Sequence, residues 1–98
     1  MHLDMNEVTE KVRSIIQDVL MDVELDEISV GSHIVADLGG DSLDLVDISS
    51  RIERAFNVPF NLEELANHFG IGAGELTVEA LSKMTLHQLE QTKGVAYA

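Results

Sequence analysis

The chain has 98 residues, 45% of them hydrophobic and 4% aromatic, which allows one domain with an aliphatic core. Six Lys plus Arg against eighteen Asp plus Glu give a formal charge of −12, which argues against nucleic acid or an anionic membrane as partner and toward a basic protein surface. With no Cys, the protein itself can supply no disulfide, thiolate metal site or cysteine nucleophile.

Met1-His2-Leu3-Asp4 offers no basic segment leading into an apolar run, and acidic residues follow at once, so neither a signal nor a transit peptide is expected. No stretch approaches the ~20 apolar residues that would cross a bilayer, and the expectation is a cytoplasmic, monomeric protein. Val8, Val12, Ile15, Ile16, Val19 and Leu20 form one apolar stripe at helical spacing, predicting a first helix over about 5–20. Asp4 with Glu7 three residues on fits a capping box at its start.

Residues 21–41 lack sustained periodicity and read as a long loop. Its apolar residues, Val23, Leu25, Ile28, Val30, Ile34, Val35 and Leu38, are too many for a solvated linker, so several must plug the core. A second helix opens at Asp41-Ser42, with Asp41 as N-cap and Asp44 in the first turn beside the positive end of the helix dipole. Leu45, Ile48, Ile52, Ala55 and Phe56 share its predicted core face. Leu43, Val46 and Ser50 lie on another face, flanked by Asp44 and Asp47, which is apolar in the middle and acidic at its edges. Asn57-Val58-Pro59 closes this helix, since Pro disfavours helical geometry at the residue before it.

Asn61 caps a short predicted helix to about Phe69, and the glycine-rich run 70–74 breaks the chain. Thr77 caps another short helix, and Thr85 starts a last one carrying Leu86 and Leu89. Residues 1–93 are thus read as a single domain and 94–98 as a frayed tail. The fold class is all-α: a small antiparallel bundle with a long loop between its first two helices and extra short helices before the last.

Chemistry-bearing motifs are few. His2, His33, His68 and His87 show no metal-ligand spacing, and Gly39 and Ser42 break any calcium-loop reading of Asp37, Asp41 and Asp44. Gly40-Asp41-Ser42-Leu43-Asp44 lacks the second glycine of a nucleophile elbow and the strand that should precede it. An enzyme is therefore not expected. From Ser14 to Ser50 there are nine acidic residues and no Lys or Arg, which suits either a solvated face or a surface that attracts basic partners. Ser42 sits at a helix start, where unsatisfied N–H groups favour an anion. A phosphate ester there would gain about 0.3–1 kcal/mol from the dipole, whereas the plainer alternative is that Ser42 only helps to cap the helix.

The segment Asp37-Leu38-Gly39-Gly40-Asp41-Ser42-Leu43-Asp44-Leu45-Val46-Asp47-Ile48, followed by Arg51-Ile52-Glu53 and Phe56-Asn57-Val58-Pro59, resembles the acyl carrier proteins. The likeness covers about 5–58, includes the approach Ser32-His33-Ile34-Val35-Ala36-Asp37, and resumes at Met84-Thr85-Leu86. It implies that Ser42, between Asp41 and Leu43, is esterified with 4′-phosphopantetheine from coenzyme A by a phosphopantetheinyl transferase. The resemblance further implies that Asp41, Leu43, Asp44, Val46, Asp47 and Ser50 form the recognition face for acyl-transferring or acyl-modifying enzymes with basic docking patches.

Departures from the family pattern point to a specialised member rather than the housekeeping carrier of fatty acid synthesis. Arg51 and Arg54 place positive charge late in the second helix, Ser50 replaces a larger apolar residue, and the segment between Val58 and Met84 is longer than usual. Phe60, Leu62, Leu65, Phe69, Ile71 and Leu76 make that segment apolar enough to pack, either simply closing the bundle or reshaping a pocket for an unusual acyl chain. The pathway expected is fatty acid, lipid or polyketide synthesis. The alternatives are a peptidyl or aminoacyl carrier, since Gly39-Gly40-Asp41-Ser42-Leu43 also occurs in those, and an unmodified acidic helical interaction module.

Overall fold

In the computed structural model, which describes residues 4–97, four helices carry the fold: α1 (Met5–Val19), α2 (Ser42–Phe56), α3 (Leu62–Phe69) and α4 (Val78–Tyr97). Two single 3₁₀ turns, Leu25–Glu27 and Ala73–Glu75, interrupt the loops. Among the described residues the only strand-like pairing is one isolated antiparallel bridge, between His33 and Thr77.

α1 forms where the stripe predicts. Val8, Val12, Ile15 and Ile16 are buried on one face, and the Asp4 carboxylate accepts the N–H of Glu7 at 2.9 Å while Glu7 reaches back to the N–H of Asp4. This face packs against both α2 and α4. Ile48 and Ile52 of α2 and Val78, Leu81 and Met84 of α4 are fully buried with it. Each such side chain contributes about 1.5–3 kcal/mol by leaving water.

The long loop between α1 and α2 is sewn to the bundle rather than draped over it. Ile28 and Ile34 are fully buried, Val23 and Leu38 pack partly against the core, and Leu25, Val30 and Val35 stay exposed. Arg13 of α1 donates from Nε to the carbonyl of Ile28 at 2.6 Å and from Nη2 to that of Leu25 at 2.7 Å, which also accepts the Ile28 N–H within its 3₁₀ turn. Glu10 accepts from Nη1 at 2.9 Å and holds the guanidinium in place. Further on, Ile34 N–H donates to Leu76 O, and the N–H groups of Val78 and Glu79 donate to Ser32 O and Val30 O. The start of α4 is thereby tied to the approach to α2.

Two expectations need correction. Ala55 is exposed beside Arg54, because it lies at the margin of the α2 face that Ile48 and Ile52 centre. The helix opened by Thr77 does not stop before Thr85; Val78–Tyr97 is one continuous helix. Thr77 caps it, accepting the N–H of Ala80 at 3.1 Å, but Thr85 is fully buried and donates its hydroxyl to Leu81 O at 2.8 Å, a contact made inside a helix rather than at its start. α2 ends at Asn57-Val58-Pro59 as expected: Asn57 takes a left-handed conformation (φ 55°) and its N–H returns to Glu53 O. The expected tail at 94–98 falls where backbone alone is described, helical through Tyr97, and Ala98 lies outside the described residues.

Candidate functional site at the start of helix α2

Ser42 is the first residue of α2 and is exposed. The helix start is closed by its neighbours instead: Asp41 accepts the N–H of Asp44 at 2.9 Å, and Asp44 accepts the N–H of Asp41 at 3.0 Å. Asp41 thus takes the capping role as expected, and the Ser42 hydroxyl has none of it. A phosphoester on this oxygen would face solvent at the positive end of the helix without displacing a cap, so the residues present fit a phosphate-linked prosthetic group.

The approach to Ser42 is rigidly specified. Gly39 adopts φ 77°, a left-handed conformation that a side chain would strain. Gly40 is buried, donates its N–H to Ile34 O at 2.9 Å, and leaves so little space that a Cβ would lie 3.2 Å from Ile34 Cγ2 and from that same oxygen. The preceding turn is fastened by Asp37, whose Oδ2 accepts from the backbone N–H of His33 at 2.8 Å and meets His33 Nδ1 at 3.1 Å. These two contacts, the backbone one first, hold the Asp37 carboxyl below its ordinary 3.8. The sequence shows the Gly-Gly pair only as the end of a long loop, and nothing local identifies Ile34 as the residue the glycines must clear.

The outer face of α2 carries the expected combination of groups. Leu43 is 79% and Val46 68% exposed, and Ser50 is exposed beyond them. Leu43, Asp47, Ser50 and Arg54 recur at i, i+4, i+7 and i+11 and so share one stripe leading away from Ser42. Asp41 and Asp44 flank its start. Asp47, however, is already paired: its Oδ1 accepts from Arg51 Nε at 3.0 Å, so its charge is partly neutralised on the helix itself.

Beside this face, and sharing Val46 and Ser50 with it, a cleft of about 670 Å³ opens between α2 and the segment that carries α3. Leu45, Phe60, Leu62, Ala66, Ile71 and Leu76 give it an apolar lining, and Ser50, Glu53, Asn61, Glu63 and Asn67 are among its polar groups. Phe60 and Leu76 are buried, so the longer segment after Val58 both packs into the core and forms a wall. Glu53 fixes the corner by accepting the N–H of Phe60 at 3.1 Å, and Gln88 of α4 donates to Pro59 O at 2.7 Å. Among the described residues no group of three or more His, Cys, Asp or Glu could hold a metal ion.

Comparison with known proteins points to a family. A family model described as a phosphopantetheine attachment site matches residues 10–73. The chain is 42% identical over 59 residues to an acyl carrier protein of Akkermansia muciniphila, covering 60% of this chain and 72% of that protein. It is 42% identical over 69 residues to an acyl carrier protein of Borrelia garinii subsp. bavariensis, covering 68% and 81%. Over 65 residues it is 37% identical to an acyl carrier protein of Clostridium acetobutylicum, covering 66% and 83%.

Proposed function

Because the chain belongs to the acyl carrier protein family, whose prosthetic group is a covalently attached 4′-phosphopantetheine, we propose that Ser42 is the attachment point and that the protein carries acyl intermediates of fatty acid, lipid or polyketide synthesis. Members of this family are carriers, not enzymes, and their partners are a phosphopantetheinyl transferase and acyl-handling enzymes. The observation that carries the assignment of Ser42 is the division of labour at the start of α2: Asp41 and Asp44 close the helix, and the serine oxygen is left exposed between them.

Attachment joins the Ser42 oxygen to the phosphorus that bears the pantetheine, with loss of the hydroxyl proton and departure of adenosine 3′,5′-bisphosphate from coenzyme A. The group supplies a terminal thiol on which an acyl chain is held as a thioester. The protein's own residues then present and shelter that chain. Gly39 and Gly40 hold the turn before Ser42 in one conformation, so the attachment point is offered from a fixed platform. Leu43 and Val46 give a partner apolar surface to cover, and Asp41 and Asp44 draw basic patches toward it. Exposed charge pairs contribute little each, so docking is fast and reversible, as a shuttling carrier requires. A flexible tether raises the effective concentration of cargo at whichever enzyme is docked.

Arg51 and Arg54 on α2 and the added wall of the cleft favour a specialised carrier over the housekeeping one. Among the described residues no helix is long and apolar enough to cross a membrane, and we place the protein in the cytoplasm, acting as a monomer. Thiol chemistry gives a direct test, because the polypeptide contains no Cys. After incubation with coenzyme A and a broad-specificity phosphopantetheinyl transferase, followed by removal of small molecules, the protein gains a titratable thiol and the Ser42→Ala variant does not. A protein that stays thiol-free under these conditions contradicts the assignment.

A further inference from the structure

We infer that His68 of α3 and His87 of α4 form a two-histidine site for a divalent ion of the zinc, nickel or copper kind, which clips α3 to α4. The rings come from different helices, yet their centroids lie 5.2 Å apart with planes tilted by 31°. Two imidazoles sharing a tetrahedral ion at ~2.0–2.1 Å from each nitrogen hold their centroids about 5 Å apart, so the helices already stand at the spacing such an ion needs. The fold sets that spacing. His87 is half-buried, and the Phe69 ring meets it edge-on at 5.6 Å. Leu65, about one turn before His68, is buried in the core, and Gln88, next to His87, donates to Pro59 O at 2.7 Å. Both helices are thereby fastened beside the pair. His68 itself is exposed, so its ring can turn a nitrogen toward the ion, and water can reach the remaining coordination positions.

Charge favours a cation at this place. His68 stands in the last turn of α3, at the negative end of the helix dipole, and is the only basic residue of that turn. Glu64 lies one turn before His68 and Glu90 one turn after His87, in a chain that is formally −12. Lys83, one turn before His87, is offset by Glu79 at 3.4 Å. Among the described residues no third His, Cys, Asp or Glu joins the pair, so the site is open and its ion exchangeable, unlike the closed four-ligand sites of structural zinc. Imidazole donors select zinc, nickel or copper over magnesium and calcium, which take oxygen ligands. Because α3 carries one wall of the cleft, the ion fixes that wall against α4.

The test titrates Zn²⁺ into the full chain in the presence of excess Mg²⁺, which occupies carboxylates and leaves imidazoles free. The ring proton signals of His68 and His87 are expected to shift together and saturate at one equivalent, ahead of those of His33, while the melting temperature rises. His68→Gln and His87→Gln are each expected to weaken Zn²⁺ binding about a hundredfold, because the second imidazole acts as an intramolecular ligand. The double substitution loses little more than either single one. Melting temperatures of every variant are compared with and without Zn²⁺, which separates lost packing from a lost ion. No ring shift at one equivalent, saturation of the two rings at different Zn²⁺ concentrations, or a Zn²⁺-induced rise in melting temperature retained by either single variant overturns the inference. None of these outcomes bears on Ser42, whose modification is read separately by mass.

Discussion

Gly40 and Ile34 touch backbone to backbone: the glycine N–H donates to the Ile34 carbonyl at 2.9 Å, and a Cβ on Gly40 would sit 3.2 Å from that oxygen. Ile34 is fully buried, and its own N–H is bonded to Leu76 O, so it has little freedom to yield. Through this contact the start of α2 is registered against the core and the start of α4. Gly40→Ala is expected to lower stability by about 1–3 kcal/mol, the usual range for overpacking a filled site. Chemical denaturation monitored by far-UV circular dichroism measures this, and an unchanged midpoint contradicts it.

The reciprocal cap between Asp41 and Asp44 makes a second prediction. Asp41→Ala removes a side-chain acceptor for the Asp44 N–H and should cost about 1 kcal/mol. Asp41→Asn keeps an acceptor and should cost less, so the difference in melting temperature between the two variants separates the hydrogen bond from the charge.

Asp37 supplies the pH dependence. Its carboxyl is held below its ordinary 3.8, first by the backbone N–H of His33 and then by the ring. A carboxylate whose folded value is depressed contributes stability that is fully present above its unfolded value and lost as pH falls through the folded one. The contribution of Asp37 is therefore complete at neutral pH and disappears in the acid range below the ordinary carboxylate value. Carboxyl carbon shifts followed by NMR should show Asp37 titrating below a free aspartate. His33→Ala should raise that titration only partway, because the larger effect comes from a backbone N–H that the substitution retains.

On the outer face, Leu43→Ala and Val46→Ala remove exposed apolar surface rather than core. Their stability should stay within about 0.5 kcal/mol of the parent. Steady-state kinetics should nevertheless show a lower kcat/KM with a phosphopantetheinyl transferase. Asp44→Asn should act in the same direction, with an effect that shrinks as salt is added. Asp47→Asn should do less than Asp44→Asn, because Arg51 already offsets Asp47 at 3.0 Å. Equal effects at the two positions would contradict this ranking.

Much of this was legible in the chain because the signals were local. The stripe from Val8 to Leu20, the box of Asp4 and Glu7, and Asp41 ahead of Ser42 each depend on residues within a turn or two of one another. What stayed hidden depends on partners far along the chain. Ala55 lies at the margin of the face that Ile48 and Ile52 centre, and how far the surrounding elements cover that margin is not written in the spacing. Thr85 has a residue type suited to a helix start, and burial turns its hydroxyl back to Leu81. The cleft needed Leu45 and Phe60 brought together with Leu76, which no periodicity encodes. The Arg51 partner of Asp47 is as local as any cap, at i+4, yet Asp47 ends a run of nine acids whose charge reads as uniformly free.

The central claim is a phosphopantetheine ester on Ser42, and intact-protein mass spectrometry tests it most directly. The protein treated with coenzyme A and transferase should gain the mass of a single phosphopantetheinyl group, located by fragmentation to the peptide containing Ser42, with no gain in Ser42→Ala. An unchanged mass, or a gain that persists in Ser42→Ala, would contradict the account.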